Sequence, residues 1–215
     1  MPDNVITLPF DRLPGTAAER HATLRDYFCD KDACVKRTTG GWELTLGWPN
    51  DAARHVDPKL SAGLAWWGEG LERSDMALSM RRSGRILSTL YDSWTLLSWS
   101  EWLERAGLQA EPIVVLHVDD HRDLGAPRLL VEQAGWRDPM TGHLVDLAQP
   151  NSVASAIRSG AIGMGSFLTP FLHAFPTTEV RHLCQPPKAV DTRDFRVELT
   201  EEQDTLLDPG ALRPA

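Results

Sequence analysis

The sequence predicts an α/β fold built around a mainly parallel sheet. Residues 112–118 are apolar at almost every position, which is typical of a strand covered by helices on both faces. A short apolar segment, 86–91, comes earlier, and apolar residues spaced by three and four over 93–106 predict a helix between the two strands. Strand, helix and strand form a βαβ unit, which places the carboxyl ends of both strands at one edge of the sheet.

The rest of the chain predicts a peripheral N-terminal region (1–80), an α/β metal-binding domain (81–200) and a polar tail (201–215). Periodicity and turn residues predict further helices and strands in all but the tail. The helices are expected at 18–28, 60–71, 129–134 and 152–159, and the strands at 42–46, 179–183 and 195–199.

Composition narrows the classes of function. The chain has 215 residues and a formal charge of −8, which argues against non-specific nucleic-acid binding because that needs a basic face. The chain carries neither a signal-peptide pattern nor an apolar run of membrane-spanning length. Three cysteines, Cys29, Cys34 and Cys184, suit a reducing compartment, so we expect a cytoplasmic protein.

The chemistry is concentrated directly after the apolar strand. Asp119, His121 and Asp123 alternate there, and side chains at such spacing converge where a strand unwinds into a loop. Two carboxylates and an imidazole favour Mn²⁺ over a structural zinc site, which prefers thiolates. His117 and Asp120 are expected to support the ligands, with Asp120 pointing away from them. The alternative is a solvated acidic loop without a metal.

These residues resemble a known motif. Asp119-Asp120-His121-Arg122-Asp123 is similar to the Asp-Ala-His-x-Asp motif of the ureohydrolase superfamily, the arginases and agmatinases. Segments 116–124 and 155–172 look like an arginase-like family that includes peptide arginases, which convert arginine side chains of ribosomal precursor peptides (RiPP maturation) to ornithine. The resemblance covers about residues 85–185.

The resemblance implies a three-layer α/β/α sandwich with two Mn²⁺ ions at the carboxyl edge of its sheet. Asp119 would bridge both ions, His121 would bind one and Asp123 the other. A hydrolase of this type attacks the guanidinium carbon with metal-activated water and releases urea. The implied substrate is an arginine-containing precursor peptide or a small guanidino compound. The oligomeric state, including a homo-oligomer, is left open.

The sequence departs from that pattern twice. The superfamily takes a histidine ligand from the preceding strand, where this chain offers only Asp92. An equal alternative is that Asp92 or Ser93 caps the following helix. A later Asp-x-Asp pair is also missing, since Asp191 and Asp194 are three apart. We therefore expect the arginase-like fold to be incomplete at its C-terminus and to support one metal ion. Three explanations for the missing Asp-x-Asp pair stay open. The chain is part of a longer protein, it has lost the full site, or a partner chain supplies the pair.

Two other functions stay open at this level. A catalytically incomplete binding module of the same fold would recognise a basic peptide through the acidic edge. A metal hydrolase for amide or acetyl-lysine bonds is a weaker option, because no histidine-rich approach to the site is present. His143 would be a proton shuttle in a hydrolase, or an exposed loop histidine otherwise.

Overall fold

The computed structural model describes residues 5–13, 15–28, 30–49, 58–107, 112–185 and 196–215. The chain divides into two compact units, Met1–Asp92 and Ser93–Ala215. This division falls about a dozen residues after the boundary expected from the sequence. In the described residues, no helix combines the length and the apolar character needed to cross a membrane.

The first unit is built on a three-stranded antiparallel sheet, with the third strand in the middle. A hairpin of two further strands ends the unit. The first helix begins with a capping box, in which Thr16 and Glu19 each accept a backbone N–H of the other residue. The elements are β1 (Val5–Leu8), α1 (Ala17–Tyr27), β2 (Asp32–Arg37), β3 (Trp42–Gly47), α2 (Leu60–Trp67), β4 (Met80–Ser83) and β5 (Ile86–Thr89).

The turn between β2 and β3 depends on Gly41. Its φ is +155°, and a Cβ at this position would lie 2.3 Å from the carbonyl oxygen of Leu8. Gly41→Ala should lower the free energy of unfolding of the first unit by about 2 kcal/mol, since the clash is with backbone. Gly40→Ala is the matched control, because a Cβ there meets nothing within 4 Å. Urea unfolding of both variants checks this, and equal midpoints would contradict it.

The second unit holds ten elements in its described residues. Its core lies between helices, where Trp99 packs against Phe167 and Phe171 with ring centroids 5.8 and 4.7 Å apart. The elements are α3 (Thr95–Ala106), β6 (Val114–Val118), β7 (Leu130–Glu132), β8 (Gly135–Arg137), β9 (Leu144–Val145), α4 (Pro150–Ser159), α5 (Leu168–Ala174), β10 (Glu179–Leu183), β11 (Glu201–Gln203) and β12 (Leu212–Pro214).

The expected three-layer sandwich with a mainly parallel sheet is wrong. In the described ranges β6 and β10 form the one parallel pair, and the other sheets are small and antiparallel. The predicted βαβ unit fails because β5 pairs with β4 as a hairpin, across a turn at Gly84 with φ +58°. One face of β6 is exposed rather than covered. An apolar pattern shows that a strand is favoured, but it does not show which strand pairs with it.

Three other local expectations differ from the structure. Residues 130–132 form a strand of the β7–β8–β9 sheet rather than part of a helix, with the positive φ of Gly135 at the turn. Residues 196–199, the described part of the strand expected at 195–199, form no regular element. The polar tail contains a hairpin of β11 and β12, with Leu206 and Arg213 buried.

Candidate metal centre

Pairing with β10 fixes the end of β6. The two strands run parallel, so that His117 and His182 are register partners with ring centroids 5.1 Å apart. Asp119 follows the strand directly, and its N–H donates to the carbonyl oxygen of Leu183 at 3.0 Å. Nε2 of His182 lies 2.7 Å from the carbonyl oxygen of Asp119. The backbone of Asp119 is therefore held on both sides by β10.

Three ligand-type side chains converge at this strand end. His117, Asp119 and Asp123 each offer one ligand atom, and these atoms all lie within 4.8 Å of one another. Nε2 of His117 is 3.1 Å from Oδ2 of Asp123. Asp123 is only 5% exposed, and its Oδ2 accepts no hydrogen bond from the described residues. Within the described part of the chain, this buried carboxylate oxygen has no hydrogen-bond donor, and it lies beside an imidazole nitrogen.

The backbone of Asp123 makes this convergence possible. Its φ of +53° is the one positive value at a non-glycine residue in the described part of the chain. Aspartate tolerates the left-handed conformation better than most residues, because its short side chain bonds locally. This turn brings the carboxylate of Asp123 back toward the strand that carries His117 and Asp119.

The two carboxylates differ in their pKa. Burial raises the pKa of Asp123 above its ordinary value, against the opposing charge of His117, and the nearby Asp119 raises it further. Partial burial also raises the pKa of Asp119. The hydrogen bonds from the backbone N–H and the ring of His121 outweigh it, so that the pKa of Asp119 is lowered overall. Asp119 is the better-stabilised anion, and Asp123 is the group that most needs a nearby cation.

His121 occupies a different position from the one expected. Its side chain is 74% exposed, and Nδ1 lies 3.2 Å from Oδ1 of Asp119, while its N–H donates to the same oxygen at 2.8 Å. Its carbonyl oxygen lies 3.0 Å from Nε2 of His117. The residue brought together with both carboxylates is therefore His117, which the sequence had placed in a supporting role. Asp120 accepts a hydrogen bond from the N–H of Gln185 at 3.0 Å.

The other expected site residues lie outside this group. Asp92 is the last residue of the first unit, at the start of a 3₁₀ turn (Asp92–Trp94). The N-cap of α3 is Trp94, without a side-chain hydrogen bond, so neither Asp92 nor Ser93 is its N-cap. His143 is exposed between β8 and β9, where its N–H donates to Thr141. Asp191 and Asp194 lie outside the described residues.

Sequence reasoning missed His182. Its segment was predicted as a strand, but its pairing with β6 could not be inferred from one apolar segment. A histidine in each of the two predicted strands, His117 and His182, was the signal that was available.

The glycine-rich segment 160–166 supports the turn from behind. The N–H of Gly125 donates to the carbonyl oxygen of Gly165 at 2.7 Å, and that of Arg128 to Ala161 at 2.6 Å. A Cβ on Gly125 would lie 2.9 Å from the Gly165 oxygen. Gly125 therefore has to be a glycine, because its backbone packs closely against that of Gly165.

Two adjoining pockets border the group. The smaller is lined by His117, His182, Arg122, Leu124, Leu168, Val180 and Val197. The larger shares Arg122, Leu124 and Val197 with it and is lined further by Thr169, Arg196, Glu198, Leu199 and Ala215. The smaller pocket, which includes His117, has a volume of about 10 Å³ and is therefore no larger than a water molecule.

Comparisons of this chain with protein-family models, with curated proteins and with solved structures find no match. The resemblance to the arginase-like family accordingly rests on the motif at 119–123 and the segments around it. The proposed function therefore depends on the geometry of the candidate metal centre.

Proposed function

We propose that this chain binds one divalent cation through His117, Asp119 and Asp123 and acts as a metal-dependent hydrolase. The observation that carries the proposal is the convergence of three ligand atoms within 4.8 Å of one another. Two carboxylates and one imidazole form an oxygen-rich donor set, which suits Mn²⁺. The buried Oδ2 of Asp123 accepts no hydrogen bond in the described residues. A bound cation would offset the free-energy cost of burying this charged oxygen.

A bound divalent cation would supply a water of lowered pKa as the nucleophile. The residues around it have distinct tasks. To act as a ligand, Nε2 of His117 would have to lose its proton and with it the 3.0 Å contact with the carbonyl oxygen of His121, so that the proton would lie on Nδ1. His121 holds the carboxylate of Asp119, and His182 holds the Asp119 backbone, so both fix the direction of that ligand.

The substrate class that we propose is the guanidinium group of arginine, in a peptide or a small molecule. Its support is the motif resemblance at 119–123. The net charge of −8 is compatible with a cationic substrate. Addition of water to the guanidinium carbon and cleavage of the bond to the side-chain nitrogen gives urea and the amine of ornithine.

Calorimetry with Mn²⁺ tests the metal site. We expect one ion per chain and a loss of affinity of about 100-fold in His117→Gln. In His121→Gln the loss should be below about tenfold, because that ring lies outside the converging group. Absence of Mn²⁺ binding to the wild-type chain would overturn the proposed site, and the reverse order of the two variants would assign the ligand role to His121.

Turnover is tested separately, with a synthetic arginine-containing peptide and Mn²⁺-loaded protein. Urea is measured by colorimetry, and the peptide by mass spectrometry, where each conversion removes CN₂H₂. Asp119→Asn should abolish both signals. Metal binding without urea would contradict the hydrolase proposal and leave the metal site standing.

A second candidate function has one observation in its favour. The described residues contain a single group of three ligand-type side chains, whereas the resemblance implies a centre with two ions. This favours a catalytically incomplete module that holds a basic peptide. Such a module would bind the arginine peptide with or without Mn²⁺ and release no urea.

A further inference from the structure

Asp138 is a buried carboxyl group that the proposed hydrolysis does not use. It directly follows β8 and is only 1% exposed. Its Oδ1 accepts the backbone N–H groups of Met140 at 2.8 Å and of Thr141 at 3.4 Å. Its Oδ2 is also buried and makes no hydrogen bond with the described residues. A charged carboxylate in this position is costly, because a buried charge needs a hydrogen-bond donor or an opposite charge.

The hydroxyl group of Ser159, the last residue of α4, lies beside this carboxyl. It donates its single hydrogen to the carbonyl oxygen of Ala156 at 2.9 Å, and it accepts the N–H of Ala161 at 3.2 Å. A hydroxyl oxygen has two lone pairs, so one remains for a further donor. A protonated Asp138 supplies such a donor, whereas an ionised Asp138 has no hydrogen to offer.

The pKa of Asp138 agrees with this arrangement. Burial raises it and is the largest cause, while the hydroxyl of Ser159 and the hydrogen bonds of Met140 and Thr141 lower it by less in total. Ser159 lowers this pKa only as a donor to the carboxylate, and its hydrogen already points to Ala156.

The charged side chains next to Asp138 and Ser159 in the chain are engaged elsewhere. Arg137, directly before Asp138, forms ion pairs with two other carboxylates. The guanidinium carbon of Arg158, directly before Ser159, lies 5.5 Å from the centroid of an indole ring, and His143 at the far end of the turn is exposed. None of these charges is among the main causes that set the pKa of Asp138.

We propose that Asp138 and Ser159 form a proton-dependent latch, in which Oδ2–H of the neutral Asp138 donates to Oγ of Ser159. When the proton leaves to solvent, two oxygens without a hydrogen between them face each other, and the latch opens. The latch joins the β8–β9 turn to the end of α4. Ala161, which donates to Ser159, also accepts the N–H of Arg128 at 2.6 Å, so the latch is continuous with the glycine-rich segment 160–166.

The latch predicts a particular pH dependence of stability. Because the folded chain keeps this proton to a higher pH than the unfolded chain, the stabilisation is present at acidic pH and is lost as the pH rises through the folded-state pKa. Asp138→Asn should remove this loss, since the amide keeps the acceptor oxygen and can donate to Ser159 at every pH. In urea unfolding from pH 5 to pH 9, the stability of Asp138→Asn relative to the wild type should therefore rise with pH.

Asp146→Asn is the matched control for these measurements. Asp146 is an exposed carboxylate in the same unit, and its Oδ1 accepts the N–H of Ala148 at 2.8 Å. Its stability relative to the wild type should stay constant between pH 6 and pH 9. If the relative stability of Asp138→Asn does not rise with pH, or rises no more than that of the control, the latch is overturned.

The hydrogen bond itself is tested by ¹³C NMR of the carboxyl carbons, which follows the protonation of each aspartate and does not require Asp138→Asn to fold. In the wild type, the midpoint of Asp138 should lie above that of Asp146. Ser159→Ala removes the acceptor of the neutral acid, so it should lower the proton affinity of Asp138 severalfold. An unchanged or raised midpoint in Ser159→Ala would overturn the latch, and so would a wild-type midpoint no higher than that of Asp146. All samples contain chelator, so neither result bears on the metal site or on turnover.

Discussion

Replacing Asp123 by asparagine should lower the affinity for Mn²⁺ by about 100-fold or more, since loss of even a supporting group around a metal costs 10- to 100-fold. Asparagine keeps the shape of the side chain and tolerates the left-handed backbone at φ +53°. The loss would therefore come from the missing negative charge and not from a changed turn. Calorimetric titration of the purified variant measures it.

In the metal-free protein, Asp123→Asn should increase the stability of the fold. Burial raises the pKa of Asp123, so its carboxylate is destabilised in the folded chain without a cation. Removing that charge should increase the free energy of unfolding by about 1 kcal/mol at pH 7 in the presence of chelator. Asp120→Asn is the control, because its Oδ1 can still accept the hydrogen bond from Gln185. Equal Mn²⁺ affinities in the two variants would contradict the ligand role of Asp123.

Lys31→Met should stabilise the first unit by about 2–3 kcal/mol at pH 6. This is less than the free energy equivalent to the whole pKa shift, because the substitution also removes favourable contacts of the lysine. Lys31 is 3% exposed, and burial lowers its pKa to about 7. The charge of Asp30 raises the pKa. The Trp48 ring, whose centroid lies 3.0 Å from Nζ, is a favourable contact of the ammonium group. Burial is the larger effect. Methionine keeps the length and removes the charge.

The pH dependence of the gain from Lys31→Met follows from the numbers of protons that the folded and unfolded chains bind. Between pH 7 and 10.5 the lysine is protonated in the unfolded chain and largely neutral in the folded one. The unfolded state binds more protons, so this residue makes stability rise with pH across that window. The gain from Lys31→Met should be largest at pH 6 and shrink towards pH 10. Urea unfolding at several pH values measures it, with the exposed Lys36→Met as control, and a gain independent of pH would contradict it.

Local patterns predicted most single elements of this chain but not their arrangement. Helix α3 and its end at Gly107, and helix α4 with its end at Gly160, follow from spacing and from glycines with positive φ. The sheet does not follow in the same way. The pairing of β6 with β10 joins segments far apart in the sequence, and neither strand carries a signal that names the other. Strand β5, the neighbour that the sequence predicted for β6, pairs with β4 in a hairpin instead.

The candidate site shows the same limit. The alternation of Asp119, His121 and Asp123 predicted a group of ligands on the assumption that the strand geometry continues into the turn. The positive φ of Asp123 breaks that alternation and turns its carboxylate toward His117. A backbone reversal at one residue is not visible in a spacing pattern. The sequence therefore brought Asp119 and Asp123 together but gave no sign that His117, rather than His121, lies beside both of them.

The pairing of β6 with β10 also has a consequence for when the three candidate ligands come together during folding. Asp120 and Gln185, which join the two strand ends, are 65 positions apart. Closing so long a loop has an entropic cost, and pairings between distant segments slow folding. A cation that bound only after this closure would stabilise the native state and not the transition state. It would then slow the unfolding of the second unit and leave its folding rate unchanged.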